Sequence, residues 1–481
     1  MFPFQHIIII DKESKIPLYR QIAISIINEI RTGTLKAGTH LPGTRELSKK
    51  LGVHRKTVIA AYDELSAQDW IVVVPRKHVT VSKQIPTLKA QKWNQKDATL
   101  SYQNTFDLPL HGLEEKASEQ PILSAPEIFI DDGYPDIRLS PIDELLKIYR
   151  SYTIRKYAVK NAIVGTTQGT LKLREELVRY LSKTRGLNIA TDNLLITHGA
   201  QMSIYLASQI LLDKEATIII GNPDYPIADK TFERTKALVI EVPVDENGLD
   251  ISAIEKICKK KKITAVYVIP HHHYPTTVTL SVERRMKLLE LSNQYSFTII
   301  EDDYDYDYHY SSSPYLPLAS GSHNGNVIYI GSFSKVLGPS IRIGFMVAPK
   351  NFIKQCTKLR EVIDYGGDGY MQNALAELIE NGDLSRYLKK TKKSYRQRRD
   401  YLDVLLKKHL GNHITYSLPD GGMAIWIKIN PRFSVCKLES VPQLYIKRIH
   451  KQENAFRFGF ASMNEKELEE AVLCLKVGLE S

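Results

Sequence analysis

Apolar residues recur along the chain in two different rhythms. Near the N-terminus Leu18, Ile22, Ile26 and Ile30 fall on one stripe, the spacing of an amphipathic helix. This predicts a helix from Pro17 to Thr32, ended by Gly33. Leu47 and Leu51 follow Thr44, a candidate N-cap, and predict a short second helix. Gly52-Val53 makes a turn, and Val58, Ala61, Tyr62 and Leu65 carry a third helix that starts near His54. Two short helices joined by a glycine-containing turn predict a helix-turn-helix. Ile71–Val74 and Val79–Val81, separated by Pro75-Arg76-Lys77-His78, predict a hairpin with a basic tip. From Ser82 to about Pro126 the periodicity fades, and Gln, Lys, Ser, Asn and Pro predict a linker. Beyond it helix and strand patterns alternate. Leu171–Leu181 is amphipathic, a further helix runs to Leu212, and the buried-strand candidates are Leu194–Thr197, Ala216–Ile220, Ala265–Ile269, Thr298–Ile300 and Val327–Ile330. That alternation predicts an α/β sheet covered on both faces.

A chain of 481 residues is too long for one ordinary core. The divisions expected are 11–83, a linker over 84–126, and 127–481. With 43% apolar and 25% charged residues the composition is that of a soluble globular protein. The longest apolar runs fall far short of a membrane span, and Ile7–Ile10 lacks the basic flank of a signal peptide. Cys258, Cys356, Cys436 and Cys474 are scattered and read as free thiols, so a cytoplasmic location is expected. The net charge of +11 is uneven: residues 1–83 hold 13 basic against 7 acidic side chains. Such asymmetry points to nucleic acid at the N-terminal end.

The third helix opens with His54-Arg55-Lys56-Thr57, polar and basic where a recognition helix meets base edges in the major groove. Arg76 and Lys77 at the hairpin tip suit contact with the DNA backbone or the minor groove. A structural three-helix module with solvated charges is the alternative.

The strand candidate Val327–Ile330 leads into Ser332-Phe333-Ser334-Lys335, with Arg342 seven residues beyond the lysine. A lysine on such a loop can form a Schiff base with an aldehyde cofactor, and an incoming amine can displace it. The Ser332 and Ser334 hydroxyls and the planar fork of Arg342 are groups that hold a phosphate. Together they point to pyridoxal 5′-phosphate (PLP); an ordinary surface lysine is the alternative this stretch leaves open. Four further stretches bear on it. Gly199-Ala200-Gln201 heads a helix after a strand, where backbone N–H groups can hold phosphate. Glu301-Asp302-Asp303-Tyr304 offers a carboxylate to a pyridine nitrogen and a phenol to a ring hydroxyl, although the run through Asp307 also reads as a solvated acidic loop. Tyr225 can stack on a flat ring, and Arg457, the lone cation in Ala455–Phe460, calls for an anionic partner such as a ligand carboxylate. His271-His272-His273 invites a metal reading, but adjacent side chains rarely converge on one ion and no carboxylate or thiol stands at ligand spacing, so no metal is expected.

Pro17–Ile22, Leu41–Leu47 and Leu51–Val58 resemble the winged helix-turn-helix of GntR-type transcription regulators. Asp131–Asp136, His198–Gln201, Asp224-Tyr225-Pro226, Glu301–Asp305, Ser332–Lys335 and Arg457–Phe460 resemble class I, fold-type-I aminotransferases. The order of the two is that of the MocR-type subgroup, and the resemblance covers almost the whole chain. It implies an α+β winged helix-turn-helix domain followed by a large α/β domain of the fold-type-I PLP-dependent transferase type. It assigns Arg45 to phosphate contact and Arg55 and Thr57 to DNA. It assigns Lys335 to the Schiff base with PLP, Asp302 to the pyridine nitrogen, Tyr304 to the ring hydroxyl, Tyr225 to stacking, Ser332 and Arg342 to the phosphate, and Arg457 to an effector carboxylate. It implies a head-to-tail homodimer that binds operator DNA and senses a small amine, an amino acid or the B6 vitamer. A working aminotransferase with a DNA-binding appendage is the rival. Three places depart from the family pattern: Asp69 and His78 stand where Gly is usual, and His271-His272-His273-Tyr274-Pro275-Thr276-Thr277 replaces Ser-His-Gln, an aromatic and Pro-Thr-Gly.

Overall fold

The computed structural model describes residues 4–11, 13–14, 16–74, 77–84, 128–154, 166–310 and 315–480. The chain divides into two compact units, Met1–Ser118 and Glu119–Ser481.

In the first unit a helix over Leu18–Arg31 buries Ile22, Ile26 and Ile30 against Leu47, Val58 and Leu65. The next helices are Thr44–Leu51 and Arg55–Ala67, with Gly52 in the left-handed conformation between them. Gly43, not Thr44, is the N-cap of the first of these, and the Thr44 hydroxyl instead accepts a bond from Arg55 Nε at 3.3 Å. Tyr62 ties the third helix to the start of the second by donating to the Pro42 carbonyl at 2.7 Å. A three-stranded sheet follows: β1 (His40–Leu41), β2 (Ile71–Val74) and β3 (His78–Val81), in the order β1-β3-β2. His78 belongs to β3, paired with Val74, rather than to the turn; its ring meets that of His40 edge-on at 5.2 Å. The predicted linker, apart from Gln84, lies outside the described residues, as does Arg76 at the hairpin tip.

The second unit is built on a mixed eight-stranded sheet. Its strands are β5 (Leu194–Thr197), β6 (Thr217–Asn222), β7 (Leu238–Asp245), β8 (Gly248–Leu249), β9 (Ala265–Val268), β10 (Thr298–Asp303), β11 (Val327–Ser332) and β12 (Gly344–Val347), ordered β5-β12-β11-β10-β9-β6-β7-β8. The central strands run parallel, and β12 runs against both its neighbours. They are near-continuous apolar runs, as a sheet buried on both faces requires. The strands β7 and β12 carry no expectation from the sequence; β7 begins exposed at Leu238 and β12 is short. β4 (Ile128–Ile130) pairs in parallel with β15 (Leu444–Ile446), so the residues that leave both strands emerge side by side. A smaller antiparallel sheet orders β13 (Ile414–Tyr416), β14 (Ala424–Ile429), β17 (Ala455–Gly459) and β16 (Ile449–His450), and places Arg457 opposite Trp426.

The recognition helix closes in a Schellman motif. Trp70 N–H bonds the Leu65 carbonyl at 2.9 Å and Asp69 N–H bonds that of Ser66 at 3.1 Å. The motif needs a left-handed residue at Asp69, whose φ is 59°. Glycine takes that conformation without steric cost, whereas a side chain there costs about 1–2 kcal/mol, less for Asp. Asp69→Gly is therefore expected to stabilise the winged helix by about 1 kcal/mol, read as a higher urea midpoint of that domain; a lower midpoint would show that the Asp69 side chain contributes more than its backbone costs.

Candidate functional site

A cavity of about 240 Å³ opens at the carboxyl ends of the central strands, where open α/β sheets place their ligands. Ala200, Gln201, Tyr225, Asp302, Tyr304, Ser332, Ser334, Lys335, Arg342 and Arg457 all line it. Gly199 stands behind this wall: an added Cβ would come within 2.8 Å of the Arg342 guanidinium. That guanidinium donates to the His198 carbonyl at 2.9 Å, and so the arginine lies across the turn before the helix Ala200–Leu211. Ser332 Oγ accepts from the Ser334 amide at 3.1 Å, while the buried Ser334 hydroxyl has no partner among the described residues.

The acidic run is not a solvated loop. Glu301, Asp302, Asp303 and Asp305 are all buried, and each has a different task. Glu301 accepts the Leu318 and Ala319 amides at 2.8 and 2.9 Å. Asp303 binds His271 and Tyr329. Asp305 binds His272 at 2.9 Å. Asp302 takes a bond from the Tyr267 hydroxyl at 2.8 Å on Oδ2, but its Oδ1 has none among the described residues. Asp305 Oδ2 also lacks a partner, yet only Asp302 lines the cavity. Burial pushes the Asp302 carboxyl up to about 7, against the Tyr267 bond, which lowers it.

Lys335 projects from the short helix Ser334–Leu337 into the same cavity. Its amine donates to the Gly133 carbonyl and lies 5.3 Å and 5.6 Å from the ring centres of Tyr134 and Tyr304. Burial draws its pKa below the usual lysine range, although the Asp132 charge opposes this. A lysine depressed by desolvation has more of the neutral, nucleophilic amine at neutral pH.

Arg457 is 1% exposed. It donates to the Asp132 carbonyl at 2.8 Å, to the Tyr304 hydroxyl at 3.0 Å and to the Pro275 carbonyl at 3.4 Å, and it stacks on Tyr274. Among the described residues no carboxylate lies within ion-pair distance of it. The Tyr304 hydroxyl, besides accepting from Arg457, donates to the His272 carbonyl at 3.0 Å. Tyr225 meets Tyr274 edge to face at 5.4 Å. The three histidines turn to three different partners, Asp303, Asp305 and Thr276.

Asp132, Tyr134, Lys447 and Arg448 line the cavity without having been singled out as site residues. They leave the paired strands β4 and β15 together, and Lys447 bridges to Asp132 at 3.2 Å. Tyr267 carried a usable signal, since a phenol inside a wholly buried strand needs a hydrogen-bond partner. Lys447-Arg448 carried none, because the β4–β15 pairing spans more than three hundred residues of sequence.

On the winged helix Arg45, His54, Arg55 and Lys56 are exposed and Thr57 is half-buried at the first turn of the recognition helix. His54 is committed to capping: its ring accepts the Lys56 amide at 3.2 Å. Lys77 is exposed beside the hairpin tip.

Residues 150–475 match the family of aminotransferases of class I and II, and the chain belongs to that family. Residues 18–81 match the gntR family of bacterial regulatory proteins, so a GntR helix-turn-helix precedes the class I aminotransferase domain, an organisation consistent with the MocR-type subgroup. The chain is 29% identical over 444 residues to YdfD, an uncharacterized HTH-type transcriptional regulator of Bacillus subtilis strain 168, covering 92% of this chain and 89% of the relative. It is 25% identical over 431 residues to MocR, a probable rhizopine catabolism regulatory protein of Rhizobium meliloti, covering 87% and 83%. The crystal structure of a multiple substrate aminotransferase from Thermococcus profundus superposes with a TM-score of 0.69 at 26% identity, over 75% of this chain and 92% of that one.

This family implies PLP dependence, and the cavity fits the cofactor. The bare Asp302 Oδ1 suits a protonated ring nitrogen, Lys335 suits the aldehyde, and the Gly199–Arg342 cradle with Ser332 and Ser334 suits a phosphate. Tyr267→Phe removes a bond to a carboxylate, an interaction of about 1.5–3 kcal/mol. It is expected to weaken PLP binding about tenfold or more with the fold unchanged, measured by absorbance titration; unchanged affinity would mean that Asp302 does not depend on Tyr267.

Proposed function

We propose that this transcription regulator answers to a small amine, an amino acid or the B6 vitamer bound in its aminotransferase-type cavity, and that the answer is a change in its grip on operator DNA. The observation that carries this reading is the presence, on one chain, of an exposed basic recognition turn and a cavity lined by Lys335, Asp302 and Arg457.

The DNA-binding module spans 11–83 and the effector domain 127–481. Lys335 would hold PLP through the cofactor's aldehyde carbon, a centre whose chemistry lets an incoming amine take the place of the lysine amine and so release Lys335. Asp302 would keep the ring nitrogen protonated, Tyr304 would serve the ring hydroxyl, and Tyr225 would offer its face to the ring. Ser332, Ser334, Arg342 and the Gly199–Gln201 backbone receive the phosphate. Arg457 receives an effector carboxylate; its guanidinium is buried and has no acidic partner among the described residues, which supports that role. A ligand that favours one arrangement of the protein shifts DNA affinity only by its differential affinity for the two arrangements.

A homodimer and a cytoplasmic location belong to the same reading. Among the described residues no helix is long and apolar enough to cross a membrane, and Val362 and Tyr365, 84% and 81% exposed, are large apolar side chains that a second copy could cover. A second reading, steady transamination, draws on the same Lys335, Asp302 and Arg457, and a turnover assay with amino donors and keto acids separates the two.

Arg45, Arg55, Lys56, Thr57 and Lys77 contact DNA, and Arg76 belongs with them by sequence. His54 starts the recognition helix. Arg45→Ala is expected to weaken binding to operator and random duplex alike and to lower the salt slope by about one unit. Arg55→Ala is expected to cost about 1–3 kcal/mol on the operator and much less on random duplex, as loss of a base contact does. Fluorescence anisotropy at several salt concentrations reads both. Unchanged affinity in both variants would overturn the DNA assignment and favour the transaminase.

A further inference from the structure

The longest helix of the aminotransferase domain, Asp383–Leu410, has one face with no place in either site. Leu384, Leu388, Thr391, Tyr395, Arg399 and Leu402 are buried on its core side. Arg386, Lys389, Lys390, Lys393 and Arg396 are exposed. At 100° per residue these five cations fall within a sector of about 120°, and they span about 15 Å of helix axis. Residues 384–399 hold eight basic side chains and no acidic one.

A solvated helix face usually mixes signs at i,i+4 spacing. This helix does so further along, where Lys407 pairs with Asp403 at 2.7 Å. In the basic stretch Asp383 reaches Arg386 and Asp400 is shared between Arg396 and Arg399, so the acids lie at the two ends. Lys389, Lys390 and Lys393 between them have no acidic partner among the described residues. Burial already draws the neighbouring Lys392 below the usual lysine range. Like charges this close lie near or within one Debye length of each other, about 8 Å at physiological salt, and raise the free energy of the unliganded face.

We propose that this face binds the phosphate backbone of double-stranded DNA, as a second, sequence-independent contact beyond the winged helix. Duplex DNA presents one phosphate per roughly 1.7 Å of axis, so a 15 Å stripe has more than enough partners for its cations. A membrane surface would need apolar side chains interleaved with the cations, whereas Ser385 and Gln397 are the other exposed residues of this stretch. The proposal rests on the DNA reading above, which also supplies the duplex: a chain held on DNA by one domain presents its other basic surface to that DNA at high effective concentration.

The test uses full-length protein and random-sequence duplexes of roughly 15 and roughly 60 base pairs, the shorter about one and a half helical turns. The variant is the triple Lys389→Gln, Lys390→Gln, Lys393→Gln, which touches neither site nor core. On the long duplex the salt slope is expected to fall by two to three units, close to 0.9 per lost phosphate contact, with affinity at physiological salt down at least tenfold. On the short duplex both are expected to stay as in the parent. Arg45→Ala provides the control: weaker binding of both duplexes there, with the triple variant indistinguishable from the parent on the long duplex, overturns this proposal and leaves the winged-helix reading intact. No DNA binding by the parent overturns the underlying reading instead. Binding of the parent but not the triple variant to phosphatidylserine vesicles, with no change on DNA, would make the face a membrane contact and overturn the proposal as well.

Discussion

A carboxylate held out of water with one oxygen bare is an expensive object in a protein. Asp302 lies 3% exposed on β10, between two parallel strands of the mixed sheet, with Tyr267 on one oxygen and nothing among the described residues on the other. The domain around it makes sense as what keeps that oxygen bare and in place. Its neighbours Glu301 and Asp303 are fully committed, to backbone amides on one side and to His271 and Tyr329 on the other. Neither can rotate in to share a proton with it. The cost of keeping a charge in such a place falls once a cationic ring nitrogen arrives. Such a carboxylate fits the protonated ring nitrogen of the cofactor proposed for this cavity.

The loop His271–Thr277 links that carboxylate to the ligand-facing side of the cavity. Its carbonyls at His272 and Pro275 hold the Tyr304 hydroxyl and the Arg457 guanidinium. His272 and Thr277 have φ values of 43° and 60°, a backbone region that a β-branched residue such as Thr277 seldom visits. Thr277 holds that left-handed backbone without being glycine, as Asp69 does in the winged helix. The His272 and His271 rings, bonded to Asp305 and Asp303, hold the loop down where glycine's freedom is missing.

The parts of this protein readable from sequence are those whose partners lie close in the chain or whose chemistry is costly to waste. The helix-turn-helix was legible because Leu18, Ile22, Ile26 and Ile30 repeat at helical spacing and Gly52 marks the turn. The cavity residues on β10, on β11 and at the head of the Ala200–Leu211 helix were legible because each follows an apolar strand run. What stayed hidden depends on distant pairing. Lys447 and Arg448 reach the cavity only because β15 aligns with β4, and Tyr267 reaches Asp302 across two neighbouring strands. Thr44 looked like a cap because its hydroxyl suits one, yet Gly43 takes the extended backbone and frees that hydroxyl for Arg55.

In the function proposed above, the cofactor cavity and the recognition helix share one free energy. Binding equilibria linked in this way are reciprocal: whatever factor PLP applies to DNA affinity, DNA applies to PLP affinity. The direct measurement is a pair of titrations on the full chain, PLP followed by absorbance with and without saturating duplex, and duplex followed by anisotropy with and without PLP. The account predicts two equal coupling factors different from one, both lost in Lys335→Ala. Identical PLP affinities in the presence and absence of DNA would contradict it.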